Sequence, residues 1–278
     1  MKRKLGCMAM AAVLSLSLAA CGSGEKPAVT ESPAAGAETT AAGTETPAPA
    51  EAAPADGGTV ANKDKPLVWF NRQPSSSATG QLDMTALNYN KDTYYVGFDA
   101  NQGAELQGTM VKDYIEQNID SIDRNGDGII GYVLAIGDIG HNDSIARTRG
   151  VRKALGTGIE KDGNINSEPV GTNTDGTASA VQDGTLEVNG KQYIVRELAS
   201  QEMKNSAGAT WDAATAGNGI GTWSSSFGDQ IDIVVSNNDG MGMSMFNAWA
   251  KDNKVPTFGY DANSDAVAAI GEGYGGTI

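Results

Sequence analysis

Cysteine and histidine are nearly missing from this chain. It has two cysteines, Cys7 and Cys21, both close to the N-terminus, and a single histidine, His141. No pair of thiols is left for a disulfide in the body of the chain, so stability must come from a hydrophobic core, with or without a metal. Positive charge is scarce too: 20 Lys and Arg stand against 34 Asp and Glu, a net charge of −14 and a pI near 4.4. A nucleic acid would find no basic patch to grip. The apolar run at residues 8–18 is too short for an ordinary membrane span. No Ser or Cys stands in a recognisable nucleophile motif, and no unpaired carboxylate pair suggests glycoside chemistry. The residues favour binding over catalysis.

Lys2, Arg3 and Lys4 precede that apolar run, which gives residues 1–20 the shape of a secretory signal. The signal ends Leu18-Ala19-Ala20-Cys21-Gly22, which resembles the bacterial lipoprotein box. The expectation is a lipidated Cys21 anchoring the chain to the outer face of the bacterial cell membrane. The plainer alternative is an ordinary signal with a chance cysteine. Residues 21–64 are Ala, Pro, Gly, Thr and Glu with almost no large apolar side chain. Such a segment cannot bury enough surface to offset its ordering entropy, so a disordered tether is expected.

What remains, residues 65–278, alternates strand and helix patterns. Strands are predicted at residues 67–70, 94–97, 129–139, 231–235 and 255–260. Helices are predicted at 102–118, 145–155 (stopped by Gly156), 240–251 and 265–270. Asn189-Gly190 between residues 186–188 and 192–195 predicts a hairpin with a type I′ turn. The segment 211–223 gives no clear reading, because its glycines interrupt any helix. This alternation predicts an α/β fold with a mostly parallel sheet. Four apolar runs end in Asn71, in His141 with Asp143, in Asn238 and in Asp261. Ligands of open α/β sheets bind beyond the carboxyl ends of the strands, so polar side chains repeated there point to a polar ligand. The alternative for each residue alone is a helix cap.

One stretch, residues 123–149, concentrates the chemistry. Asp123, Asn125 and Asp127 alternate, with Gly128 sixth and the Ile129 carbonyl seventh, as in the first half of a calcium loop. Leu134 stands where an EF-hand needs a bidentate Glu, so an EF-hand is excluded and a remote carboxylate is required. Otherwise the segment is a tight polar turn entering a strand. Further on, Asp143 and Arg147 are four apart and are expected to pair on one helix face. An ionised Asp makes a poor general acid, but Asp, Arg and His together can grip hydroxyl groups. Trp211 would offer an aromatic face to the apolar side of a sugar. Alternatively, Asp143 only caps the helix and pairs with Arg147.

The runs PLVWFNRQPS, YYVGFD, DRNGDGII, GDIGHNDSIARTRG, WDAATA, IDIVVSNNDGMGM and PTFGYDA resemble the galactose/glucose-binding members of the type I periplasmic binding protein family. The resemblance spans residues 65–278 and implies a Rossmann-like parallel-sheet lobe and a sugar-uptake role with an ABC transporter. It also implies sugar contacts from Asn71, His141, Asp143, Arg147, Trp211, Asn238 and Asp261, and no enzymatic activity. Calcium is implied as a structural cofactor on Asp123, Asn125, Asp127, Ile129 and Asp232. Asp232 stands where the family has Glu, and Gly131 where it has a Gln ligand, so weaker calcium binding is expected. The implied partners are a galactose- or glucose-type monosaccharide, the transporter permease and a chemoreceptor. The family folds as two lobes around the sugar. By that standard residues 98–278 read as a nearly complete second lobe and residues 65–97 as the remnant of a largely absent first. Weakened sugar binding and exposure of Leu67, Trp69 and Tyr95 are expected to follow. The competing reading is a calcium-stabilised surface interaction module that does not bind sugar.

Overall fold

A strand that is apolar on both phases of its period-two alternation is buried on both faces. Strand β3 (Ile129–Ile136) is such a strand. It sits inside the computed structural model, which describes residues 64–75, 82–161 and 163–278. These belong to one compact unit, Thr59–Ile278. The expected signal, the lipidated Cys21 and the tether up to residue 63 lie outside the described residues.

In chain order the strands are β1 (Leu67–Phe70), β2 (Thr93–Val96), β3, β4 (Glu160–Lys161), β5 (Asn164–Ile165), β6 (Gly171–Thr172), β7 (Gly184–Val188), β8 (Lys191–Glu202), β9 (Ile233–Ser236) and β10 (Thr257–Phe258). The helices are α1 (Met84–Leu87), α2 (Ala100–Gln117), α3 (Asn142–Leu155), α4 (Ala213–Phe227), α5 (Asp239–Met245), α6 (Lys251–Asn253) and α7 (Ser264–Ala269). The central sheet runs β10-β9-β3-β8-β6, with β7 also on β8. Its four core strands are mutually parallel, while β6 and β7 join antiparallel. The strand–helix alternation thus yields the α/β sheet that the sequence predicts.

The two phases of β3 feed two cores. Val133 and Ala135 pack with Leu198, Ile220, Trp223, Met241 and Met245, which places α4 and α5 on one face. Ile130, Tyr132, Leu134 and Ile136 pack with Val111, Ile115, Val151 and Leu155, which places α2 and α3 on the other. Each such fully buried side chain contributes about 1.5–3 kcal/mol, so both helix layers are firmly held. Helices α2 and α3 approach at backbone contact: a Cβ on Gly108 would collide with the carbonyl of Gly150.

Three readings need correction. The glycines of residues 211–223 do not prevent a helix: Asp212 accepts the amide of Thr215 and starts α4, which has 15 residues. Gly217 lies where the Ser244 side chain approaches, so the glycine serves packing instead of breaking the helix. Strand β3 stops at Ile136, short of residue 139, because the Gly137 carbonyl turns to accept the amide of Trp211 at 3.1 Å. In the parallel β1–β2 pair, Leu67, Trp69 and Tyr95 are half-buried, not exposed. The Trp69 Nε1 donates to the Ala86 carbonyl of α1 at 3.2 Å. The opposite phase is the open one: Val68, Phe70, Tyr94 and Val96 are each more than half exposed, Phe70 the most at 77%.

Candidate ligand site at the strand exits

Because β10, β9 and β3 are parallel neighbours, the residues following them emerge side by side. His141 closes the loop after β3 and caps α3. Its Nδ1 accepts the amide of Asp143 at 3.1 Å. A neutral ring whose Nδ1 accepts must carry its proton on Nε2, so Nε2 is a donor, and it has no hydrogen-bond partner among the described residues. Burial, followed by the nearby positive charge of Arg72, lowers the His141 pKa below 6.5 and keeps the imidazole neutral.

Arg147, one turn further along α3, is 6% exposed. Its Nη1 donates to the Asn237 carbonyl at 2.6 Å and lies 3.4 Å from Asp261 Oδ1. The guanidinium lies 3.6 Å from the Tyr260 ring centre and 5.8 Å from that of Trp211. Trp211 in turn meets the His141 ring edge-to-face at 5.3 Å. The Arg147 Nε is buried and has no hydrogen-bond partner among the described residues. An unsatisfied buried donor of this kind costs about 1–3 kcal/mol.

The expected Asp143–Arg147 pair does not form; the partner of Arg147 is Asp261, brought in from the end of β10. Nor does Asp143 cap α3, since His141 does so. The Asp143 carboxylate has no hydrogen bond or ion pair among the described residues, although its charge is felt at Tyr95, His141, Tyr260 and Asp261. Asn238 caps α5 by accepting the amide of Met241 at 3.0 Å, and its Nδ2 has no hydrogen-bond partner among the described residues. Burial raises the Asp261 pKa, and Arg147 partly offsets the shift.

Asn71 comes from the other sheet, on the exposed loop after β1. Its carbonyl accepts from the Tyr95 hydroxyl at 3.4 Å, and that loop touches α3 where Asn142 Nδ2 meets the Gln73 carbonyl at 3.4 Å. Asn71, Trp211 and Asp261 also share a backbone feature, with φ of 66°, 59° and 103°. For non-glycine residues this left-handed region costs about 1–3 kcal/mol each, and strain of this kind collects at functional sites. Tyr260 and Asn237 were not singled out from the sequence. The doubled Asn237-Asn238 at the exit of β9 was the available signal, and only its second member was read.

The loop at residues 123–129 is built differently. Asp123 accepts the amides of Gly126 and Gly128, and Asp127 accepts that of Ile129. Asn125 bonds Asp127 at 2.9 Å. Asp232 is brought against the loop and is fully buried, its carboxylate accepting the amides of Arg124 at 2.9 Å and Gly131 at 2.8 Å. Burial, followed by the charge of Asp123, pushes the Asp232 pKa up to about 7. Oxygen donors of this kind are the type that hard cations prefer. Even so, among the described residues no three acidic or histidine side chains are gathered as a metal cluster.

The chain is similar in sequence and fold to known proteins. A D-galactose/methyl-galactoside binding periplasmic protein, MglB, of Haemophilus influenzae is 28% identical over 228 residues, spanning 80% of this chain and 53% of the relative. Among solved structures, an ABC transporter periplasmic solute binding protein from Actinobacillus succinogenes with bound D-allose is 16% identical. Its TM-score is 0.45, over 75% of this chain and 54% of that one. A Mycobacterium smegmatis protein in complex with β-D-fucofuranose is 17% identical with a TM-score of 0.45, over 75% and 51%. The chain therefore spans about half the length of the relatives it matches. A family model for the periplasmic binding protein domain matches residues 61–277, so the chain belongs to the periplasmic binding protein family, whose members bind solutes and are not enzymes.

Proposed function

We propose that the strand-exit site binds a monosaccharide of the galactose or glucose type, and that the chain serves as the substrate-binding component of an ABC sugar importer. One observation carries the reading. Four hydrogen-bonding groups at neighbouring exits have no hydrogen-bond partner among the described residues: Arg147 Nε, the Asp143 carboxylate, Asn238 Nδ2 and His141 Nε2. Sugar hydroxyls donate to carboxylates and accept from guanidinium, amide and imidazole N–H groups, so this set matches a polyol. Asn71, Trp211 and Asp261 complete the wall, with the indole facing the apolar side of the ring. The binding function of the MglB relative supports the same ligand class. Calorimetric titration of the full chain with D-galactose and D-glucose should give saturable heat with at least one of them. A chain that gives none with either sugar does not bind in this way.

The same reading includes lipidation at Cys21, delivery of sugar to a transporter permease, and contact with a chemoreceptor. The lipoprotein-box sequence supports the anchor, and a Cys21→Ala chain that still partitions with membranes would remove it. Calcium completes the reading, with Asp123, Asn125, Asp127, the Ile129 carbonyl and Asp232 as its donors. When bound, the ion would neutralise carboxylate charge where the loop meets β9. If calcium shifts thermal stability and sugars do not, the chain is instead a calcium-stabilised interaction module.

A further inference from the structure

Arg147 and Trp211 reach the site from different elements, one on α3 and the other in the loop before α4. Both rest on the same buried residue, Asn237, whose exposure is 0%. Its amide donates to the Ala135 carbonyl at 2.9 Å, locking the exit of β9 to the exit of β3. Its carbonyl accepts Arg147 Nη1 at 2.6 Å. Its Oδ1 accepts from the Gly137 amide at 3.1 Å and from Ser144 Oγ at 2.6 Å, with Thr148 Oγ1 at 3.4 Å.

Two routes lead from that oxygen to the indole. Gly137, held by Oδ1, accepts the Trp211 amide through its own carbonyl at 3.1 Å. A Cβ on Gly137 would collide with the Trp211 ring, so the indole lies directly on this glycine. The second route runs from Ser144 Oγ, which accepts the Asp138 amide at 3.1 Å. Asp138 Oδ2 then accepts Thr210 Oγ1, also at 3.1 Å. Thr210 immediately precedes Trp211. A positive φ at a tryptophan persists only when its surroundings fix it, and these bonds are what fix it.

We propose that Asn237 is a positioning residue for the sugar site: it touches no ligand itself, and it sets the Arg147 guanidinium and the Trp211 indole in register with one another. This rests on the sugar-binding reading above. Because the carbonyl that holds Arg147 is backbone, side-chain substitution acts first on the Gly137–Trp211 half.

The test combines a sugar-independent readout with binding. In the full chain, the indole N–H resonance of Trp211, assigned with Trp211→Phe, should shift in Asn237→Ala and in Gly137→Ala. Affinity for whichever of galactose or glucose the wild type binds should fall about tenfold or more in Asn237→Ala, measured well below its melting temperature. In a Trp211→Ala background the same substitution should cost markedly less, because the two residues act as one unit. Should Asn237→Ala fail to fold, Ser144→Ala removes one arm of the network and should shift the same resonance. An unmoved Trp211 resonance with unchanged affinity overturns the proposal. So does an additive loss in the double variant, which would mark Asn237 as a purely structural residue. If the wild type binds neither sugar, the sugar reading fails, while the resonance still decides whether Asn237 sets the indole.

Discussion

The strand-exit site and the loop at residues 123–129 are both rich in Asp and Asn, yet they treat their polar groups in opposite ways. In the loop nearly every carboxylate oxygen already accepts a backbone amide, and the fully buried Asp232 ties two separate segments together. At the strand exits, among the described residues, Arg147 Nε is a buried donor without a partner, and the Asp143 carboxylate has no hydrogen bond or ion pair. A self-satisfied polar cluster contributes to stability. An unsatisfied one raises the energy of the empty state and is poised for a ligand. Substitutions in the loop should therefore change folding, and those at the exits should change binding.

The largest effect should follow removal of the peg in the loop. Asp232→Ala leaves the amides of Arg124 and Gly131 without acceptors. It should cost about 2–5 kcal/mol in chemical denaturation. Sugar affinity should stay within about twofold, and a variant that folds as stably as wild type would erase the contrast. Trp211→Ala should do the reverse, lowering sugar affinity about tenfold as the stacking face is lost while stability changes little.

Calcium sharpens the same contrast. At about a hundredfold excess over its dissociation constant, calcium should add about 2.7 kcal/mol of stability. It should leave sugar affinity nearly unchanged, and the increment should vanish in Asp127→Ala. Equal melting temperatures in calcium and in chelator would place the loop among purely self-closed turns.

The fold was largely legible because both phases of β3 and β9 are apolar and the Asn-Gly turn fixes its hairpin. The turn shows φ of 54° and 75° at Asn189 and Gly190. Helix α4 was not legible, since its glycines mask a helix in which one of them, Gly217, accommodates the approach of Ser244, a contact that only the folded chain contains. The site was legible as residue types at strand exits, but not as a network. Spacing placed Asp143 opposite Arg147 on a helix, whereas β10 delivers Asp261 to the arginine first. The doubled Asn237-Asn238 marked the position of Asn237 but not its role, which runs through a backbone carbonyl and through Gly137.

The smallest effect concerns pH. Burial holds the His141 pKa below its ordinary value of 6.5, so the unfolded chain takes up that proton first as the medium is acidified. Above about pH 6.5 the imidazole is neutral in both states and adds no slope. Below it, stability should fall until the folded-state pKa is passed, then level off. The slope between pH 7.5 and 5.5 (about two units across the ordinary histidine value) should be shallower in His141→Gln. Identical slopes would show that the histidine contributes nothing.

The central claim is that the unpaired groups at the strand exits exist for a sugar, and Asp143 tests it most directly. Its carboxylate makes no hydrogen bond or ion pair among the described residues, so Asp143→Ala should melt within a few degrees of wild type. By calorimetry the variant should lose about tenfold to a hundredfold in affinity for the sugar that the wild type binds. An Asp143→Ala chain that binds as tightly as wild type would contradict the account.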